Sequence, residues 1–132
     1  MSLNYLEITE VTKEISELIQ KSDLMQVMGV FLVDFNLPER LPDLNIAIFF
    51  KDTKSLMFSL KSPWVGMFWV DSSKIKRLQS FKDWHDILCE KYLLKIKNIS
   101  QERVVELFFS DEIKLKVELF SSRPNWSLSY PG

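Results

Sequence analysis

His85 and Cys89 lie four residues apart in "FKDWHDILCEKY", a stretch of helical spacing that brings an imidazole and a thiol to one side of a helix. A sulfur nucleophile activated by an adjacent base is built from such a pair, provided the ring nitrogen reaches the sulfur and oxyanion donors stand nearby. Nothing in the neighbouring sequence is prepared for that, and a helical cysteine is ordinarily a small buried hydrophobe. His85 is the only histidine and Cys89 the only cysteine. No internal disulfide and no cysteine-built metal cluster can form. Neither a calcium-loop pattern nor a zinc-type histidine spacing is present.

Carboxylate pairs such as Glu14 with Glu17, or Asp83 with Asp86, would need a concave site and one raised pKa to do acid–base work. On charged helix faces they read as solvated groups. The three glycines, Gly29, Gly66 and Gly132, are isolated, so no glycine-rich phosphate loop can be built. The chain is therefore expected to have no catalytic residues, no metal and no cofactor, and not to be an enzyme.

Charge suggests a different chemistry. The net charge of −1 conceals a division: residues 1–50 carry 3 basic and 8 acidic side chains, residues 51–100 carry 10 and 5. Lys74, Lys76, Arg77, Lys82, Lys91, Lys95 and Lys97 give residues 74–97 a net +4, with Phe81, Trp84 and Tyr92 interleaved. Cations can contact a phosphate backbone while aromatic rings stack on bases. The aromatic spacing is helical, however, and packing explains it more economically. Two further arginines, Arg103 and Arg123, flank the strand pair in "ERVVELFFSDEIKLKVELFSSRPNW".

These groups need elements to position them. At 132 residues and 46% apolar, one domain spanning 1–132 can bury a sizeable core. The composition, rich in phenylalanine and poor in glycine, fits a sandwich of strands with a few helices. Ile8, Val11, Ile15, Leu18 and Ile19 recur at steps of three and four, predicting an amphipathic helix over Tyr5–Gln20. Val27–Leu37 is strongly β-forming, and its continuous apolarity implies burial on both faces. Asn45–Phe50 and Ser55–Leu60 flank a four-residue hairpin loop, and Trp64–Val70 completes an antiparallel meander of four strands. Ser80-Phe81-Lys82-Asp83 resembles a capping box and opens a second helix over Phe81–Tyr92. "LKIKNIS" reads as a short strand or connector.

In the last 32 residues, Val105, Leu107 and Phe109 share one strand face, and Leu115, Val117 and Leu119 share the next. The register that opposes Phe109 to Ile113, Leu107 to Leu115 and Glu106 to Lys116 joins both apolar sets and sets opposite charges across the ladder. Ser110-Asp111-Glu112 is then the loop. A third strand is expected over Trp126–Tyr130, after a turn at Pro124-Asn125. No stretch resembles a cleavable signal or a membrane helix. A soluble, reducing, cytoplasmic setting without membrane contact is the expectation.

Taken in order, "MSLNYLEITEVTKEISELIQKSDLMQVMG", "KSLMFSLKSPWVGMFWV", "CEKYLLKIKNISQERVVELFF" and "IKLKVELFSSRPNWSLS" resemble the N-terminal domain of the NFACT proteins. These are ribosome-associated quality-control factors long labelled fibronectin-binding proteins. The resemblance covers nearly the whole chain and implies an α+β fold, an antiparallel β-sandwich with two packed helices similar to the N-terminal domain of formamidopyrimidine-type DNA glycosylases. It also implies a noncatalytic module for transfer RNA and the large ribosomal subunit, working with protein domains absent from this chain.

On the matching positions, the family's Asp-Arg pair falls on Glu102-Arg103, its Arg-x-Asn turn on Arg123-Pro124-Asn125, and an early aspartate on Asn4. Two of these three features lack their aspartate here, which marks the transfer-RNA recognition as degenerate. The expected nucleic-acid-binding set is thus Asn4, Lys74, Lys76, Arg77, Lys91, Lys95, Lys97, Glu102, Arg103, Arg123 and Asn125. The other expectation is a protein-interaction or structural domain, with Trp64, Phe68 and Trp69 packing against a partner.

Overall fold

The computed structural model describes residues 5–21, 25–35, 45–60, 66–99, 104–119 and 125–131. Helix α1 (Tyr5–Lys21) forms on the expected periodicity. Ile8 and Ile15 are fully buried, whereas Glu10, Lys13, Glu14 and Glu17 stay exposed. A single apolar stripe therefore docks the helix.

The first sheet is antiparallel. Strands β1 (Val27–Phe35), β2 (Asn45–Phe50), β3 (Lys54–Ser59) and β4 (Gly66–Asp71) form the expected meander, with the β2–β3 loop shortened to residues 51–53. Trp64 lies outside the described residues. A fifth strand, β5 (Ile75–Ser80), returns along the free edge of β1 and gives the order β4-β3-β2-β1-β5. Sequence reading placed no strand there, and the reason is physical. Only Ile75 is buried and the next five residues are exposed, so β5 shows no alternation. It is placed by a 3-10 turn at Ser72–Lys74, whose Asp71 carboxylate accepts from the Ser73 amide at 3.0 Å and hydroxyl at 2.9 Å. Those two bonds hold the Asp71 pKa below its ordinary value.

Both faces of this sheet are apolar, which accounts for the unbroken hydrophobic run of β1. Val30, Ile46, Ile48, Leu56 and Phe58 enter the main core, while Val33, Ala47, Phe49, Met57, Phe68 and Ile75 form a second cluster on the other face. Phe68 is buried in that cluster and presents no free aromatic surface to a partner, and Trp69 packs on Phe50 at 5.9 Å while staying partly exposed.

Helix α2 runs only from Lys82 to Leu88, shorter than the expected Phe81–Tyr92, and the capping box does not form. Ser80 is the last residue of β5, and Phe81 occupies the N-cap position without a side-chain bond. The helix stops because β1 competes for the following backbone. Glu90 takes a positive φ of 69° and donates to the Val27 carbonyl at 2.9 Å, and Val27 donates to the Lys91 carbonyl at 2.8 Å. Leu93 then donates to Met25 at 3.0 Å.

The chain passes from there into the second sheet, β6 (Leu93–Ile99), β7 (Val104–Phe109), β8 (Ile113–Glu118) and β9 (Asn125–Ser129), antiparallel in that order. The stretch "LKIKNIS", read as a short strand or connector, belongs as far as Ile99 to a seven-residue strand, and the last strand begins one residue earlier than expected, at Asn125. The β7–β8 register is the expected one, with Phe109 opposite Ile113, Leu107 opposite Leu115 and Glu106 opposite Lys116. Both sheets and both helices contribute to one main core. Near its centre Trp84, fully buried, meets Phe58 of β3 at 5.8 Å, Phe81 at 5.3 Å and Trp126 of β9 at 5.5 Å, all edge to face.

The β7–β8 loop carries two consecutive non-glycine residues at positive φ, Asp111 at 62° and Glu112 at 60°. A left-handed conformation costs an L-residue roughly 1–2 kcal/mol, part of which glycine returns through its looser unfolded state. Glu112→Gly is expected to stabilise the fold by about 0.5–1 kcal/mol, measured as a higher urea midpoint at unchanged slope. A lowered midpoint would contradict the assigned turn.

Candidate nucleic-acid interface

The second sheet has one buried and one water-facing side, set by period-two alternation. Val105, Leu107 and Phe109 of β7 and Ile113, Leu115 and Val117 of β8 point into the core. Their neighbours must point out. Strand β6 needs an additional device, because Leu93 is buried and Lys95, two positions on, is exposed. A bulge between Leu93 and Lys95 supplies the extra residue, Leu94, 56% exposed, and moves Lys95 and Lys97 to the open face while Ile96 stays inside.

Cross-strand pairing then lays out three rows on that face. The first reads Lys95, Phe108, Lys114, Ser129; the second Lys97, Glu106, Lys116, Ser127; the third Ile99, Val104, Glu118, Asn125. Four lysines thus share the face with two glutamates. Phe108 sits between cationic neighbours on both sides, and three ammonium groups converge on its ring: Lys95 Nζ at 5.9 Å, Lys97 Nζ at 5.7 Å and Lys114 Nζ at 5.8 Å from the centroid. Each such contact is worth about 0.5–1 kcal/mol at an exposed site. Glu106 bonds Lys114, diagonal to it across the ladder, at 2.8 Å. The face offers cations for anionic oxygens and a central π-surface.

Of the expected binding residues, Lys95, Lys97 and Asn125 lie on this face. Lys91 is engaged in an ion pair with Asp111 at the β7–β8 loop. Lys74, Lys76 and Arg77 are elsewhere, in the 3-10 turn and on β5 of the first sheet. The Arg77 guanidinium rests on Phe31 at 5.0 Å and Phe49 at 4.5 Å. The basic segment 74–97, continuous in sequence, is therefore divided between two sheets. Asn4, Glu102, Arg103 and Arg123 lie outside the described residues. Trp84 is fully buried and cannot stack on a ligand. Phe108, Lys114 and Lys116 were missed, although the signal was at hand: the register that opposes Glu106 to Lys116 also opposes Phe108 to Lys114.

The other candidate chemistry is the His85–Cys89 pair, which the short helix α2 does bring together, with Nε2 3.3 Å from Sγ. Its polarity is wrong for activating a thiol. The Val30 amide donates to His85 Nδ1 at 3.0 Å, so the ring proton belongs on Nε2, the nitrogen that faces the sulfur. An imidazole in this tautomer has no free lone pair to accept the thiol proton. Gly29 permits the approach, since a Cβ there would come within 2.6 Å of the Phe31 ring and 3.2 Å of His85 Cε1. Burial, then the charges of Glu90 and Asp86, push the Cys89 thiol pKa up. Glu14, one of the paired carboxylates, lies 3.8 Å from Lys54. Among the described residues no group of three or more histidine, cysteine or acidic side chains could hold a metal ion, and no helix is long and apolar enough to cross a membrane.

A raised thiol pKa means less thiolate at a given pH than in free cysteine. Iodoacetamide is therefore expected to alkylate Cys89 more slowly than free cysteine at pH 7.5, with the rate rising only at more alkaline pH. A pH–rate curve lying at or below that of free cysteine on the pH axis would refute the inert geometry.

No family model, no curated protein and no solved structure matches this chain.

Proposed function

We propose that this chain is a noncatalytic RNA-binding module of the NFACT N-terminal type, which contacts structured RNA or a ribosomal surface in the cytoplasm. The observation that carries the proposal is the convergence of Lys95, Lys97 and Lys114 on Phe108, on a face where lysines outnumber glutamates. Excess cation density on an open sheet suits a polyanion. The ordered resemblance of the four sequence segments supports the same reading and adds transfer RNA and the large ribosomal subunit as partners. The finer architecture belongs to this proposal as well: a β-sandwich similar to the N-terminal domain of formamidopyrimidine-type glycosylases, supported by the core that both sheets share.

A second reading, a protein-interaction domain, is favoured by one observation. Leu78 stands 57% exposed on β5, one of the two edge strands of the first sheet. An edge strand offers unpaired backbone groups to an added strand.

Filter binding to transfer RNA at 50 and 200 mM salt separates the two. Affinity should fall steeply with salt, and the triple variant Lys95→Ala, Lys97→Ala, Lys114→Ala should bind more weakly with a log–log salt slope shallower by about 2. Absence of affinity at low salt, or affinity indifferent to salt, would remove the RNA reading and leave the edge strand as the site to pursue.

A further inference from the structure

The water-facing side of β7 carries a large aromatic ring that the core does not require. Leu107 and Phe109 fill the inner side of the strand at that level, both nearly or wholly buried, while Phe108 between them is turned outward and only half-buried. Lysines alone would suffice to hold phosphates. A ring in the middle of three lysines adds something they lack, a flat apolar surface that matches the face of a nucleobase.

Resting on the RNA-binding reading, we propose that this face selects unpaired nucleotides. Phe108 is the stacking platform for one base, and Lys95, Lys97 and Lys114 take the flanking phosphates. In the free protein the three ammonium groups lie over the ring within cation–π range, Lys114 also bonded to Glu106. An arriving base takes over the ring face, and the freed ammonium groups swing outward on their flexible stems to the phosphate oxygens on either side. Lys114 then exchanges its Glu106 partner for a phosphate. Beyond the ring, the rows continue into Ser129 and Ser127 of β9, both exposed, whose hydroxyls can hydrogen-bond base edges or sugar oxygens.

Duplex RNA is excluded from this arrangement by geometry. Its base faces are covered by their neighbours in the stack, and its accessible groove presents edges and hydroxyls rather than ring faces. A single strand or an unpaired loop exposes the face that Phe108 needs.

The test uses the full chain with two probes of the same sequence, an eight-nucleotide single-stranded RNA carrying central 2-aminopurine and its blunt duplex. The wild-type chain should bind the single strand more tightly than the duplex and quench the 2-aminopurine fluorescence. Phe108→Leu should lose about tenfold in single-strand affinity together with the quenching, and Phe108→Trp, which keeps a ring, should retain both. The tryptophan variant keeps the experiment decisive if the leucine variant proves unstable. Equal affinity of the wild type for both probes, or undiminished quenching and affinity in Phe108→Leu, overturns the stacking proposal. If in that case the triple lysine variant still weakens transfer-RNA binding, the broader RNA reading stands without it. If the wild type binds neither probe nor transfer RNA at low salt, the RNA reading itself falls.

Discussion

Every side chain on the open face of the second sheet is where it is because its neighbours along the strand are buried. Strands alternate with a period of two, so placing Val105, Leu107 and Phe109 inside obliges Glu106 and Phe108 to face water. A slip of one residue would exchange the two sets, exposing the leucines and valines and forcing lysines into the core. Each buried Val, Leu or Phe is worth about 1.5–3 kcal/mol, and burying an unpaired ammonium costs several more. The packing of the inner face thus determines the outer one with a wide margin, and the lysine-ringed phenylalanine is a direct product of core formation.

The first sheet and the helices secure the inner side of that arrangement. Trp84 reaches from α2 to β3 and β9 at once, joining the two sheets through aromatic edges. Strand β9 is short, but Trp126 and Leu128 anchor it to the core, which leaves Ser127 and Ser129 on the exposed side. The apolar second face of the first sheet occupies residues that sequence inspection assigns to intermolecular contact, Phe68 above all. The candidate surface lies instead on the second sheet, where β7 and β8 alternate between buried apolar and outward-facing residues.

What could be read from the chain follows from how local each determinant is. Helix α1, the β1–β4 meander and the β7–β8 register rest on periodicity within a strand or between adjacent strands, and they appear in the sequence as such. Strand β5 has one buried residue in six and carries no periodic signal, so only its pairing with β1 defines it. The end of α2 was hidden for a related reason: Ile87, Leu88 and Tyr92 keep helical spacing, yet the backbone beyond Leu88 is claimed by Val27, some sixty residues earlier in the chain. The candidate site was half visible. Lys95 and Lys97 stand in the sequence as part of a linear basic run, but grouping them with Lys114 depends on the bulge at Leu94 and on pairing across three strands.

The junction where α2 meets β1 has a consequence for how the protein comes apart. Val30 offers both backbone groups to this region, its carbonyl to the Phe81 amide and its amide to the imidazole of His85, while Val27 binds Glu90 and Lys91 immediately below. Strand β1 of one sheet is thereby bonded to the segment that leads into the other. Undocking α2 would orphan the Val30 amide, and peeling β6 away would break the bond from the Leu93 amide to the Met25 carbonyl, so neither sheet can open without breaking bonds at this junction. The two sheets should therefore protect their amides from solvent exchange as a single cooperative unit, giving the open face the rigidity of the entire molecule.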